Sequence, residues 1–357
     1  MIEEASILHE LNGVIRLGEL FCGPGGIGLG ASLARVDGVK IEHVWATDYD
    51  KDTCETYRNN LHPNEIICED IRKLDFTKIL KKYGTIDCLT FGFPCNDFST
   101  VGERKGIEGT FGGLYRYCVD ALKIFKPKFF IAENVNGLKN ANEGMAFEHI
   151  LKSFINVGYK LFPNLYCFET YGIPQKRHRI IIVGIRDDIE IVFKVPSNKP
   201  YEKLDNSVKT ALNNIPENVA NNERTVQSVK VIERLKYIKE GENAFTANLP
   251  PELQLNVKGA KISQIYRRLK ANEPSYTITG SGGGGTHVYH YKENRALTNR
   301  ERARLQTFPD NFIFYGSKES VRKQIGMAVP PQGIKIIFEA LLNSIVGNDY
   351  ETMEAKI

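Results

Sequence analysis

Val14-Ile15-Arg16-Leu17-Gly18-Glu19-Leu20-Phe21-Cys22-Gly23-Pro24-Gly25-Gly26-Ile27-Gly28-Leu29-Gly30 sets the architecture of this 357-residue chain. Val14 to Phe21 reads as an apolar strand. Glycines 23, 25 and 28 follow it as G-x-G-x-x-G, the pattern of a tight strand-to-helix turn. Lacking Cβ atoms, such a turn lets backbone close on a cofactor and lets the next helix pack tightly on the sheet. A second strand, His43 to Thr47, ends in Asp48, an acid placed to accept hydrogen bonds from ribose hydroxyls. Those features suit an adenosine-containing cofactor, nicotinamide or S-adenosylmethionine alike. Glu65 to Cys68, Ile86 to Phe91, Phe129 to Ala132 and Ile180 to Gly184 read as further strands. The alternation predicts an α/β domain with a doubly wound, mostly parallel sheet, whose functional groups collect beyond the carboxyl ends of the strands.

Two of those ends carry reactive side chains. Gly92 stops the strand Ile86 to Phe91, and Phe93-Pro94-Cys95-Asn96-Asp97-Phe98-Ser99 follows. Pro94 fixes its own φ and pushes Phe93 toward extended geometry, so Cys95 stands on a rigid turn. Asn96, Asp97 and Ser99 are capping residues, and a thiol near a helix N-terminus has its thiolate favoured. The position suits a nucleophile, although a free cysteine is equally often a small buried hydrophobe. Glu133 ends the strand Phe129 to Ala132, as a surface carboxylate or as part of the same site. In Gln175-Lys176-Arg177-His178-Arg179 the two arginines alternate, which on extended chain aims both guanidinium forks to one side. Such forks suit phosphates or a carboxylate near a reacting ring.

Composition narrows the class. Apolar residues at 42% and charged residues at 25% are ordinary globular values. Seven cysteines without a C-x-x-C pair argue against a disulfide framework or a metal site, and for a reducing, cytoplasmic setting. The acidic start Met1-Ile2-Glu3-Glu4 lacks a signal pattern, and no uninterrupted apolar run approaches membrane-spanning length. A net charge of +4 identifies no nucleic-acid partner by itself, but Lys176 to Arg179, Arg267-Arg268 and Arg295 to Arg304 concentrate positive charge. From about Arg186, Pro196, Pro200, Pro216, Pro250 and Pro251 break the strand–helix rhythm, which predicts a smaller, irregular second domain. It holds Arg267, Arg268 and a glycine run with Ser281, Gly283, Thr286 and His287. That run is either a flexible linker or a loop able to enter a DNA groove. Leu297 to Gln306 predicts a helix with Thr298 as N-cap and Glu301 in the capping-box position.

Six motifs now stand in order: Phe21-Cys22-Gly23-Pro24-Gly25-Gly26, Phe93-Pro94-Cys95, Glu133-Asn134-Val135, Gln175 to Arg179, the Arg300 to Pro309 helix, and Gly326-Met327-Ala328-Val329-Pro330-Pro331. In this the chain resembles, over nearly its full length, the cytosine-carbon-5 DNA methyltransferases of bacterial restriction–modification systems. The resemblance implies a Rossmann-like, S-adenosylmethionine-binding catalytic domain at 1–187. A target-recognition domain and hinge at 188–319 and a C-terminal segment at 320–357 returning to the first domain complete it. Cys95 is implied as nucleophile on carbon 6 of a flipped-out cytosine, with Glu133 as the acid at ring nitrogen 3. Arg179 is implied to support the ring oxygen, and Arg177 to be a supporting contact. For the cofactor it implies Phe21, Gly23, Gly25 and Gly26 for close approach and Asp48 for ribose. Tyr49 is expected as an aromatic ring against the cofactor, Asp70 with Ile71 at adenine, and Pro94 and Leu114 along the pocket. Arg267, Arg268, Ser281, Gly283, Thr286 and His287 are the expected contacts to double-stranded DNA. The expected protein is a metal-free monomer without a membrane partner; any cognate endonuclease acts without touching it.

Three positions depart from the family pattern: Asn96 stands for glutamine, Asp48 for glutamate, and Met327 for asparagine near the cofactor carboxylate. None removes a group the chemistry requires. A nicotinamide-dependent dehydrogenase would leave Cys95, Glu133 and the arginines without roles. A transfer-RNA cytosine methyltransferase fits the long 186–295 segment less well, and an inactive relative fits poorly with Cys95, Glu133 and Arg179 all present.

Overall fold

Where apolar runs alternate with amphipathic ones, the chain forms β1 (Val14–Leu20), α1 (Gly26–Leu33), β2 (Lys40–Asp48), α2 (Lys51–Leu61), β3 (Glu65–Cys68), α3 (Phe76–Tyr83), β4 (Cys88–Phe91), α4 (Tyr115–Phe125), β5 (Phe129–Val135) and α5 (Met145–Ile155). The structure, a computed structural model, describes residues 12–94, 113–138, 144–255, 263–280 and 284–357. Cys95, Asn96, Ser281 and Gly283 lie outside the described residues. Helix starts follow local chemistry: the Asp50 carboxylate accepts from Thr53 N at the head of α2, and Asp75 accepts from Thr77 N and Lys78 N at the head of α3.

Strands β1 to β5 pair in parallel, while β7 (His178–Arg186) runs antiparallel to β5, and β6 (Tyr159–Cys167) antiparallel to β7. The order is β3-β2-β1-β4-β5-β7-β6. It reverses between β1 and β4, so the crevice beyond their carboxyl ends is the ligand position of such a sheet. Phe21 to Gly26 leaves the end of β1, and Gly92 to Pro94 leaves the end of β4.

The sequence reading omitted β6. Its burial alternates poorly and it contains Pro163, a residue that a strand tolerates at a sheet edge, where no neighbour needs its missing N–H. The sheet core is aromatic. The Phe91 ring stacks on Phe130 at 5.5 Å, and Phe130 meets Phe154 edge-on at 5.2 Å and Tyr159 at 5.1 Å. Gly184 in β7 makes room for this cluster, because a Cβ there would stand 2.0 Å from Phe130 Cε1.

The chain divides into two compact units: 1–167 with 178–200 and 331–357, and 168–177 with 201–330. These limits differ from the expected breaks at 187/188 and 319/320. The stretch 168–177 packs with the second unit, and the return to the first begins at Pro331. There α10 (Pro331–Val346) lies against α1, close enough that a Cβ on Gly30 would stand 2.6 Å from Ile334 Cβ. The second unit contains α6 (Val208–Ala211), α7 (Val229–Lys236), α8 (Asn299–Leu305) and α9 (Lys318–Met327). Its described strand pairing is limited to isolated bridges such as Gln175–Ser275 and Arg268–Tyr289, and Leu235, Ile238, Leu249, Tyr266 and Tyr289 form a core. The stretch Lys318–Val346 is long and apolar enough on average to cross a membrane, although Lys335 and Glu339 interrupt it, and 78% of its apolar window is buried, as in a core helix.

Because the Phe130 ring fills the space over Gly184, Gly184→Ala should destabilise the protein by about 1–3 kcal/mol through overpacking. Phe130→Leu in the same chain should recover part of that loss. Chemical denaturation of the single and double variants reads this out; additive losses would show that the two sites do not compete for space.

Candidate active site

Three residues after β1 adopt left-handed backbone: Phe21 at φ 51, Gly23 at φ 55 and Gly25 at φ 99. Such a conformation is rare for a phenylalanine and marks a constrained turn. The Asp48 carboxylate, at the end of β2, holds it: Oδ2 accepts from Gly23 N at 3.0 Å and Oδ1 from Asp50 N at 3.1 Å. Burial pushes the Asp48 carboxyl pKa up, and the N–H groups of Asp50 and Gly23 oppose that shift. The glycines serve different ends. Nothing lies within 4 Å of where a Gly23 Cβ would stand, so its face is open, whereas a Cβ on Gly25 would stand 2.5 Å from Leu61 Cδ1. Tyr49, next to Asp48 in sequence, is 62% exposed.

Asp70 follows β3. Both of its oxygens bond Arg72, whose side chain and backbone N–H hold the carboxyl pKa down to about 2. Oδ1 accepts from Arg72 N and Nε, and Oδ2 from Arg72 Nε and Nη2, so an amino group reaching this carboxylate would compete with Arg72 for it. Ile71 and Leu114 are buried in the core that contains Phe91 and Phe93.

At the ends of β4 and β5 the second set of residues converges. Glu133 Oε1 and Arg179 Nε form an ion pair at 2.7 Å, with both side chains mostly buried. The β5–β7 register places Val135 opposite Arg179 and Glu133 opposite Ile181. A Cβ on Gly92 would stand 3.1 Å from Glu133 Oε2, so this carboxylate lies against the backbone that leads through Phe93 and Pro94 into Cys95. Asn134 steadies the same backbone: its Nδ2 donates to the Phe93 carbonyl at 3.3 Å, and its Oδ1 accepts from Val135 N at 2.9 Å. The sequence reading gave Asn134 no role, although it stands beside Glu133 in the motif.

Arg177 does not share the aim of Arg179. It is 1% exposed, its Nη1 donates to the Ile278 carbonyl at 3.0 Å and its Nη2 to the Gly326 carbonyl at 3.1 Å. The expected alternation fails because β7 begins at His178, one residue later. Arg177 therefore ties together backbone of the second unit. Gln175 works alongside it, donating to Leu305 O and Gln306 Oε1 and accepting from Ile278 N.

The basic clusters are also largely internal. Arg268, expected at DNA, is buried: it donates to the carbonyls of Ile238 (2.6 Å), His290 (2.9 Å), Glu293 (2.7 Å) and Leu235 (2.5 Å) and to Asn294 Oδ1. Arg300 donates to the carbonyls of Ala220, Pro309 and Phe312, while Arg295 pairs with Glu293 and Glu301. The α8 capping box forms as read: Thr298 Oγ1 accepts from Glu301 N at 3.1 Å, and Glu301 Oε2 from Thr298 N at 2.7 Å. His287 is likewise buried, and burial followed by the Arg302, Arg322 and Lys318 charges lowers its pKa to about 4. Thr286 is exposed. Arg267 remains half-buried, its guanidinium 4.6 Å from the Tyr276 ring centroid. With Lys176 and Lys270 it lines a cleft where both lysines reach Glu273, at 3.4 and 2.7 Å.

Arg268→Ala should leave several buried carbonyls bare, at about 1–3 kcal/mol each before relaxation, and should lower the denaturation midpoint strongly. Arg267→Ala should leave that midpoint within ~0.5 kcal/mol of the parent, as for surface changes. Equal stabilities for the two variants would remove Arg268 from the scaffold of the second unit.

The description "C-5 cytosine-specific DNA methylase" belongs to the family model that matches residues 15–343. A type II methyltransferase of Brevibacillus brevis, M.BbvI, is 54% identical over 353 residues, covering 96% of this chain and 94% of its own length. M.NgoFVII of Neisseria gonorrhoeae is 41% identical, covering 99% of this chain and 92% of its own. Among solved structures, Dnmt2 of S. pombe superposes with a TM-score of 0.62 at 17% identity, over 93% of this chain and 98% of its own, a likeness of fold alone. Spanning almost the whole sheet and second unit, these matches place the chain in the C-5 cytosine-specific DNA methylase family, in the restriction–modification branch that methylates cytosine in DNA.

Proposed function

We propose that the chain methylates carbon 5 of a flipped-out cytosine in a short duplex sequence, through a covalent adduct of Cys95. The observation that carries this reading is the Glu133–Arg179 pair at 2.7 Å, held against the backbone that enters Cys95. Carbon 5 of cytosine is a weak nucleophile. Addition of the Cys95 thiolate to carbon 6 makes the ring enamine-like and loads electron density onto carbon 5. Charge then builds at ring nitrogen 3, where Glu133 hydrogen-bonds or delivers a proton. Arg179, paired with Glu133, orients that carboxyl and supports the ring oxygen. After methylation, loss of the carbon 5 proton expels Cys95 and restores the aromatic ring.

The family uses S-adenosylmethionine as methyl donor, which supplies a methyl group on a positively charged sulfur. The residues present fit it. The open face at Gly23 admits a close backbone approach, Asp48 offers an acceptor for ribose, Asp70 would take adenine only in exchange for part of its Arg72 pairing, and Tyr49 offers an exposed ring. Pro94 follows β4, whose carboxyl end lies at the switch point of the sheet, and is the proposed pocket residue there. Ile71 and Leu114 would form the pocket's buried wall. The target carbon is inaccessible within stacked duplex DNA, so the cytosine has to leave the stack. In the second unit Arg267 with Lys176 and Lys270, and the loop containing Ser281, Gly283 and Thr286, are the DNA contacts under this reading. Arg268 and His287, both buried, are left out of that contact set. A monomer that protects DNA against a separately acting endonuclease completes the proposal.

Expression in a methylation-free bacterial host, followed by genome-wide bisulfite sequencing, tests the activity and its sequence preference together. One short motif should be modified by the parent and by no Cys95→Ser chain; full modification with Cys95→Ser would end the nucleophile assignment. Glu133→Gln should slow turnover roughly a hundred- to ten-thousand-fold while DNA and cofactor affinities hold. A similar loss in binding would assign Glu133 to binding rather than to the chemical step.

A further inference from the structure

A line of polar side chains runs from Glu19 near the end of β1 to Gly28 in the first turn of α1, the two elements that flank the glycine-rich turn. Glu19, in β1, is 1% exposed. Its Oε2 lies 2.9 Å from Tyr57 Oη, and Tyr57 Oη lies 3.3 Å from His43 Nδ1. His43 Nε2 lies 2.7 Å from Ser32 Oγ, which lies 3.1 Å from the Gly28 carbonyl oxygen. The line therefore joins β1, α2, β2 and α1 in turn. It touches the turn directly, because a Cβ on Gly28 would stand 2.7 Å from Tyr57 Oη and 2.9 Å from Glu19 Oε2.

Counting protons separates two states of this line. With Glu19 neutral, its O–H donates to Tyr57, Tyr57 donates to His43 Nδ1, His43 Nε2–H donates to Ser32, and Ser32 donates to the Gly28 carbonyl. Every link then has one proton and the Gly28 carbonyl is engaged. With Glu19 ionised, Tyr57 must turn its proton to the carboxylate, His43 must change tautomer, and Ser32 must turn from Gly28 to His43. The structure favours the neutral form on two grounds. Glu19 Oε1 is buried with no hydrogen-bond partner among the described residues, a poor place for an anionic oxygen. The nearby Asp48 carboxylate also opposes a second negative charge, and the buried Cys22 and Cys88 thiols, kept neutral by burial, supply no compensating positive one.

We propose that neutral Glu19 heads a proton-ordered relay through Tyr57, His43 and Ser32 that positions the Gly23–Gly28 turn for the cofactor. Burial raises the Glu19 pKa to about 8, against opposing hydrogen bonds from Tyr57 and Gly28. Burial lowers that of His43 to about 4, which keeps the ring neutral as the relay requires. The sign follows. The folded-state pKa of Glu19 lies above its unfolded value, so its contribution is complete below about pH 4.5 and is lost as pH rises through about 8.

The inference rests on reading the turn as the cofactor cradle, and the test separates the two. Affinity for S-adenosylmethionine is measured by calorimetry from pH 6 to pH 9.5 for the parent, Glu19→Gln, Glu19→Ala and Tyr57→Phe. Hydrogen–deuterium exchange of peptides covering residues 21–32 is followed in the cofactor-free proteins over the same range. The glutamine amide donates to Tyr57 as neutral Glu19 does, without titrating. Parent affinity should fall, and turn protection, taken relative to the intrinsic base-catalysed exchange rate, should fall as pH passes about 8, while Glu19→Gln keeps its low-pH affinity and protection. Titration of the ligand's own amino group affects both proteins equally, so the difference between them is the signal. Glu19→Ala and Tyr57→Phe should bind roughly ten-fold more weakly even at pH 6, about 1.4 kcal/mol. Matching pH profiles for parent and Glu19→Gln, in affinity and in exchange, would overturn the relay. If the parent binds no S-adenosylmethionine at any pH, the cradle reading falls, and the exchange profiles still decide the relay.

Discussion

Helix α1 is the element on which the first unit depends, because it is pinned closely on both sides. A Cβ on Gly25 or Gly28 would strike Leu61 or Tyr57 of α2 at 2.5–2.7 Å, and one on Gly30 would strike Ile334 of α10 at 2.6 Å. Only hydrogen side chains allow backbone to approach that closely. One short helix thus fixes the turn that follows β1 and receives the chain that returns at Pro331. The left-handed backbone at Phe21, Gly23 and Gly25 is held by this packing and by Asp48 rather than by local preference.

The second unit meets a different constraint. Chain without long strands or helices leaves many backbone carbonyls with no ladder partner, and buried carbonyls need one. Arginines supply it. Arg177, Arg268 and Arg300 each spread a planar fork over carbonyls from separate segments, joining 168–177, 220–253 and 266–326 within the unit. Five donors in rigid geometry make arginine suited to this work, and a lysine could not replace it. Positive charge in this unit is consequently a poor guide to its DNA-facing surface. Arg267, stacked on Tyr276 and next in sequence to a fully committed neighbour, shows how sharply adjacent arginines can differ in use.

The crevice at the sheet's switch point lies between the open glycine face and the Glu133–Arg179 pair, the two halves of the proposed site. The open glycine face lies at the end of β1, and the Glu133–Arg179 pair at the ends of β5 and β7, with the Gly92 to Pro94 turn after β4 between those strands. Asn134 fixes where that turn begins by holding the Phe93 carbonyl. In the proposed mechanism this arrangement would hold the Glu133 carboxyl in place before the ring arrives.

Composition and local pattern determined much of this by themselves. The strand–glycine–helix signal, the apolar strands and the Thr298 capping box depend on interactions within a few residues, and all formed as read. The ordered motifs identified the family by their residues and order, although Gln175, Arg177 and Arg300 among them turn out to serve the scaffold. Tertiary structure decided what depends on contacts between distant segments. Pro163 and weak alternation concealed the edge strand β6, which exists because β7 offers it a partner. Arg177, Arg268 and His287 looked like ligand-facing residues because polar type suggests exposure. Their partners lie as far as 149 residues away in sequence for Arg177, so only the folded chain shows that these side chains are used inward. The line from Glu19 to Ser32 was invisible for the same reason: four elements had to meet before its protons had an order.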